Sequence, residues 1–215
     1  MLFRSQKTGA RIENLLDLAS FPVSQRQIDV GNTSVQADPG TSRSLLAACQ
    51  TIEQSELGGF FIDVEGNADF LSRDTVSLKA DETPLMFNDN GTDISYQSID
   101  FAYDDTQIFN DITVTALNGV AQNVQSTSSI ETFFIHSGSR SELLMQTDAE
   151  ALDQASMLLN ARENALLRID SIGLNLMDST ASNRIVAGLE SDLFTLINVT
   201  KTGQEIGRAS CRERV

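Results

Sequence analysis

Tryptophan is absent from this chain, histidine occurs once, and there are two cysteines and three prolines in 215 residues. Each scarcity excludes something. A single histidine, His136, cannot build a His/His or His/Cys metal cluster, and no GxSxG turn presents a serine to it as a nucleophile. Cys49 sits in the apolar stretch SLLAACQTI, where a buried thiol packs as a small hydrophobe. Cys211 lies in a terminal run read below as adapter-derived, and Cys49 alone makes neither a disulfide framework nor a zinc site. No apolar run reaches the eighteen or so residues of a membrane span. GxGxxG and GxxxxGK[ST] are missing, so nucleotide binding by those loops is excluded. Cations are scarce too. Fifteen Lys and Arg face thirty Asp and Glu, a net charge of -15. A nucleic-acid surface needs clustered cations to displace counterions, and an anionic membrane needs a polybasic patch. The charge points to neither nucleic acid nor membrane, but to a solvated acidic surface.

The few cations are unevenly placed. The chain ends EIGRASCRERV, an RxxxRxR run without apolar period. The codons ATC GGA AGA GCG TCG TGT AGG GAA AGA GTG encode IGRASCRERV and are the reverse strand of a common short-read sequencing adapter. GTG CTC TTC CGA TCT, with GTG as start codon, encodes Met1 to Ser5 in the same way. Residues 1–5 and 205–215 are therefore read as adapter-derived. Residues 6–204 are read as a fragment of a longer reading frame, with a change of subdomain near residue 178. Without the two ends, eleven basic and twenty-eight acidic residues leave a net charge of about -17.

The periodicities predict an α+β fold: mixed antiparallel sheet hairpins with about three helices packed on them. The first helix spans 9–20, with Ile12, Leu15, Leu16 and Ala19 on its apolar face, and Pro22 ends it near Phe21. The second begins near Ser42 and carries Leu45, Leu46, Cys49, Ile52 and then Glu56 or Leu57 inward until Gly58-Gly59 stops it. FFIDVEGNADFLSRD reads as a hairpin turning at Gly66-Asn67. Residues 74–98 read as polar loops and weak strands. Ile112, Val114 and Ala116 alternate with Thr113 and Thr115 ahead of an Asn118-Gly119 turn. SSIETFF is a short helix candidate. The third main helix starts at Thr147 with Glu150 three residues on, a capping box, and turns Leu152, Ala155, Leu159 and Met157 or Leu158 inward. ALLRIDSIGLNLM reads as a long strand, and RIVAGLESDLFTLINVTKT as a strand pair or the start of a next subdomain.

Two acidic constellations bear on chemistry. Asp63, Glu65, Asn67 and Asp69 are spaced by two, as calcium ligands can be, but the glycine falls at the fourth position and no glutamate stands at the twelfth. Asp100, Asp104, Asp105 and Asp111 offer carboxylate pairs of the kind glycosidases use, in a chain where acids are abundant. Neither pattern is specific. No catalytic, cofactor-binding or metal-ligating residue is assigned, and no enzymatic activity is expected. A calcium- or carbohydrate-binding module of a secreted or surface protein is the alternative reading.

The order of segments carries more information than any motif. A helix feeds the strand pair holding Phe61, Asp63 and Gly66, closed by Arg73. Ile108, Asn110, Ile112 and Val114 come next, then Ser129, Ile130, Gly138 and Arg140, then a helix with Ala149, Ala151, Ala155 and Leu159. This order resembles the minor tail or baseplate-hub proteins of tailed bacteriophages, over roughly residues 10–202. The chain departs from that pattern at Phe133-Phe134-Ile135-His136-Ser137, where a short aromatic-glycine turn is usual, and at Ser191-Asp192. The resemblance implies a structural component of the virion at the tail tip, active in assembly and host attachment. It implies a homo-oligomer, a trimer or ring, contacting other tail proteins and needing no cofactor.

Overall fold

The computed structural model describes residues 5–103, 105–177, 182–202 and 204–210, the last stretch as backbone only. Strand β1 (Gln6–Lys7) runs into helix α1 (Thr8–Leu18), and strands β2 (Arg26–Ile28) and β3 (Ser34–Val35) precede helix α2 (Leu45–Glu56). The hairpin β4 (Gly59–Ile62) and β5 (Ala68–Leu71) leads to helix α3 (Arg73–Leu78), then to β6 (Leu85–Asn88), β7 (Ile94–Ser95) and β8 (Ser98–Ala102). A second hairpin, β9 (Asp111–Ala116) and β10 (Gln122–Gln125), is followed by helix α4 (Thr127–Phe133), strand β11 (Ser137–Leu143) and helix α5 (Asp148–Arg162). The remaining elements are β12 (Arg168–Gly173), helix α6 (Ser182–Glu190), β13 (Leu196–Lys201) and β14 (Gln204–Ser210). The α+β class is as expected, with six helices among the described residues.

The chain divides into two compact units, one of residues 1–62, 67–74 and 104–165, the other of residues 63–66, 75–103 and 166–215. The first unit holds two apolar clusters. In one, Ile12, Leu15 and Leu16 of α1 meet Ala48, Cys49 and Ile52 of α2, with Val35, Phe70 and Leu144. In the other, Ile112, Val114 and Ala116 of β9 pack on Ala151, Ala155 and Leu159 of α5. The alternation along β9 is complete: its three apolar side chains are buried and its threonines half-buried, as period-two geometry requires.

Helix ends follow local chemistry. Ser44, not Ser42, caps α2, its hydroxyl accepting the Ala47 N–H at 3.1 Å. Thr147 and Glu150 form the expected capping box on α5. Helix α1 stops at Leu18 because Ser20 turns left-handed (φ 55°). The Ser20 N–H then reaches the Asp17 carbonyl and the Phe21 N–H reaches that of Leu16. This paired bonding is a Schellman ending, and Phe21 packs back onto the α1 cluster. Ala19 therefore lies past the helix and is exposed, contrary to the helical-face expectation. On α5 the small residues Ala151 and Ala155 go inward, and Leu152 is 40% exposed.

Four strand pairings are parallel, beyond the antiparallel hairpins read from the sequence: β2 with β5, β9 with β11, β6 with β13, and β6 with β7. In the second unit Phe87, Ile94, Ala187 and Val199 form the buried centre, joined by Ile169 and Ile172 of β12. A register shift between Ile169 and Ser171 in the β12–β8 ladder lets both isoleucines pack inward although they are three apart. RIVAGLE, expected as part of a strand pair or the start of a next subdomain, is helical α6, anchored by buried Ala187. RDTVSL, expected as loop or weak strand, is α3.

Candidate functional site

Three buried polar arrangements organise the first unit. Asn110 lies just before β9 and is fully buried. Its Nδ2 donates to the Phe134 carbonyl at 2.7 Å and to Ser129 Oγ at 3.1 Å, and its Oδ1 accepts the His136 N–H at 2.8 Å. Its backbone is used as well: the Asn110 N–H donates to the His136 carbonyl and its own carbonyl accepts the Ser126 N–H. Ser129 Oγ in turn donates to the Glu163 carbonyl. One side chain thus sets the path of α4 and the start of β11. The sequence marked both Asn110 and Ser129, and the structure brings them together.

The loop they hold is unusual. Phe134 has φ 63° and ψ −177°, backbone normally left to glycine, and its side chain is 82% exposed. Ile135 beside it is 63% exposed. The aromatic-glycine turn of the resemblance therefore has its glycine-type conformation at Phe134. Gly138 is constrained for another reason, because a Cβ there would come within 2.9 Å of the Phe109 ring.

The second arrangement has no local sequence motif. Glu56 is fully buried at the end of α2, where helical period alone predicts only an inward position. Its carboxylate accepts the Thr8 hydroxyl at 3.0 Å and the Asn32 and Thr33 N–H groups, each at 2.8 Å. Gly9 and Gly31 permit this closeness: a Cβ on Gly9 would lie 1.8 Å from the Asp29 carbonyl oxygen, and one on Gly31 1.8 Å from the Thr8 hydroxyl. The third centres on Arg11, also fully buried, which donates to the Gln36 carbonyl at 2.9 Å with Asp38 at 4.0 Å. Burial pushes its guanidinium pKa down, against the pull of Asp38. Helical period allowed Glu56 an inward position but not its partners, and it hid Arg11 altogether, since an arginine on a helix normally reads as solvated.

The remaining marked residues divide. Ile108, Ile112, Val114, Ala151, Ala155 and Leu159 are buried core, whereas Ala149 is exposed. Phe61 and Arg73 are half-buried; Gly66 makes the hairpin turn at φ 88°, while Asn67 does not take positive φ. Arg140 is half-buried, its pKa lowered by burial and by Arg162, and supported by Glu53. The carboxyl of Glu53 is raised by burial, against the Phe60 N–H and Arg140.

The acidic constellations are used locally. Asp63 accepts the Glu65 N–H at 2.9 Å. Asp111 accepts from Asn123, Gln125 and Ser137, and those bonds hold its carboxyl below the usual range. Asp100 accepts the Ser171 hydroxyl, and Asp104 lies outside the described residues. His136 Nε2 lies 2.9 Å from the Phe133 carbonyl and 3.8 Å from Asp105. No group of three or more His, Cys, Asp or Glu able to hold a metal occurs among the described residues. The Cys49 thiol is pushed up to about 11 by burial and by the nearby Glu53 charge, so it is a packing group rather than a nucleophile.

No protein-family profile and no curated protein sequence matches this chain. Solved structures do. The fold is similar to that of tail proteins. The 43 kDa tail protein of prophage MuSo2 from Shewanella oneidensis superposes with a TM-score of 0.56 at 13% identity, over 96% of this chain and 58% of that one. A tail protein from Neisseria meningitidis MC58 superposes with a TM-score of 0.56 at 12% identity, over 96% and 60%. The chain thus spans about three fifths of the length of either tail protein.

Proposed function

We propose that this chain is a non-enzymatic structural component of a bacteriophage tail, placed at the tail tip or baseplate hub and acting in virion assembly and host attachment. The observation that carries the reading is the fold likeness to two tail proteins over 96% of the chain. The order of segments, read from sequence alone, agrees with it. The polar groups described above are engaged in fixing backbone, which suits a part that bears load through packed surfaces. Its partners in this reading are further copies, as a trimer or ring, and other tail proteins, with the virion as its location.

Immunogold electron microscopy of purified tailed particles tests the placement. Label confined to the distal end of the tail supports it, and particles whose tails carry no label overturn it. Calcium titration of the melting temperature addresses the binding-module alternative, because a ligand held only by the folded state must raise it.

A further inference from the structure

We propose that the pocket between α5 and the C-terminal end of α2 binds an alkylammonium group, as carried by a lysine side chain or a free diamine. The pocket lies within the first unit and encloses about 170 Å³. Two amides in its wall carry the argument. Gln154 of α5 is 4% exposed; its Nε2 donates to the Gln54 carbonyl at 2.5 Å, while its buried Oε1 has no hydrogen-bond partner. Asn32, between β2 and β3, donates through Nδ2 to Asp74 at 2.5 Å, and its buried Oδ1 is likewise unpartnered. Neither amide can be turned round. A carbonyl and a carboxylate accept but do not donate, so a flip sets oxygen against oxygen in each case. Both acceptors are therefore fixed, and the cost of leaving a buried acceptor unmet is recovered when a donor enters the pocket.

The charge around them specifies the donor. Glu150 and Asp153, three residues apart on α5, line the same pocket. Asp74 holds the Asn32 side chain, and Glu56 accepts the Asn32 N–H at 2.8 Å. Against these four carboxylates the wall sets one cation among the described residues, Arg73, whose Nη1 lies 3.9 Å from Met157 Sδ. Water donates but brings no charge, and it makes nothing of the apolar wall of Leu57, Met145 and Met157. A metal ion does not suit the donor set, since no group of three or more His, Cys, Asp or Glu able to hold one occurs among the described residues. An ammonium on a short methylene chain uses all three features: its N–H groups meet the two amides, its charge meets the carboxylates, and its stem lies along the apolar wall. The inference stands apart from the tail reading, which leaves this pocket unused.

Isothermal titration calorimetry of the full chain with n-butylammonium chloride tests it, against sodium chloride at equal ionic strength. Saturable one-to-one binding is expected, and binding at least about tenfold weaker in Asp153→Asn and in Gln154→Met. Asp153 is exposed, so its variant is expected to fold as the wild type does, and thermal melting checks this for both. Two further titrations separate the sources. Nα-acetyl-lysine N-methylamide presents the lysine stem and putrescine the free diamine, and the tighter of the two names the source. No saturable heat with n-butylammonium overturns the proposal and makes this a pocket for ordered water only. Asp153→Asn binding like the wild type overturns it too, as does a folded Gln154→Met that does so. The immunogold result is independent of these outcomes, so the tail placement and this site fail separately.

Discussion

Glu56 and Thr8 meet with neither exposed to water: the threonine hydroxyl donates to the carboxylate at 3.0 Å, joining the end of one helix to the start of another. The same carboxylate holds the Asn32 and Thr33 N–H groups. Glu56→Ala removes the acceptor of the buried Thr8 hydroxyl and of the part-buried Asn32 and Thr33 N–H groups. A loss of roughly 3 kcal/mol in urea unfolding is expected, with Glu56→Gln losing about half as much because one carbonyl oxygen remains. A Glu56→Ala variant as stable as the wild type would show that water replaces the carboxylate.

Asn110→Ala removes three side-chain hydrogen bonds from a fully buried position. A loss of about 2–4 kcal/mol is expected. Hydrogen exchange should rise first at the amide of His136, which Asn110 directly protects. Unchanged exchange there would remove Asn110 from its role in fixing the loop at residues 134–136.

Phe134→Gly should stabilise the folded chain by about 1 kcal/mol. Relief of the glycine-type backbone outweighs the added chain entropy, and an exposed ring gives up little burial. The urea midpoint measures this. A clear fall would mean that the ring contributes packing within the chain.

The Asp111 carboxyl titrates below its ordinary value because Asn123, Ser137 and Gln125 all donate to it. A depressed folded pKa contributes stability above the unfolded value and loses it as pH falls through the folded one. Stability should therefore drop below about pH 4 in the wild type, and less steeply in Asp111→Asn. Urea midpoints measured across the acid range would show whether the two curves converge.

Residues 1–5 and 205–215 we propose to be adapter-derived. Reading the coding locus by a method free of that adapter decides this. Codons other than those for EIGRASCRERV after Gln204 are expected, and the same codons in the native locus would refute the origin.

Legibility from sequence tracked the range of the interaction. The capping box at Thr147 and Glu150 and the alternation of Ile112, Val114 and Ala116 are local patterns, and the structure keeps them. Strand β11 reads SGSRSEL, with no alternation to mark it, and its place beside β9 comes from long-range bonds that include those around Asn110 and His136. Ile185 and Val186 favour strand by shape, yet burial of Ala187 decides for helix α6. Phe134 was visible only as a departure from pattern. Its exposure and its strained backbone follow from the long-range grip of Asn110 on the loop.

The parallel β9–β11 ladder also constrains how the chain is made. The β9–β10 hairpin turns at Asn118-Gly119 and can close as soon as it is synthesised. β11 joins β9 only after the chain has doubled back through the α4 segment, and non-local closure of that kind is slow. During that interval the far side of β9 is an open edge, able to accept a strand from another nascent chain. Helix α4 and the Asn110 grip, which hold β11 beside β9, are expected to shorten the period in which neighbouring chains can mispair.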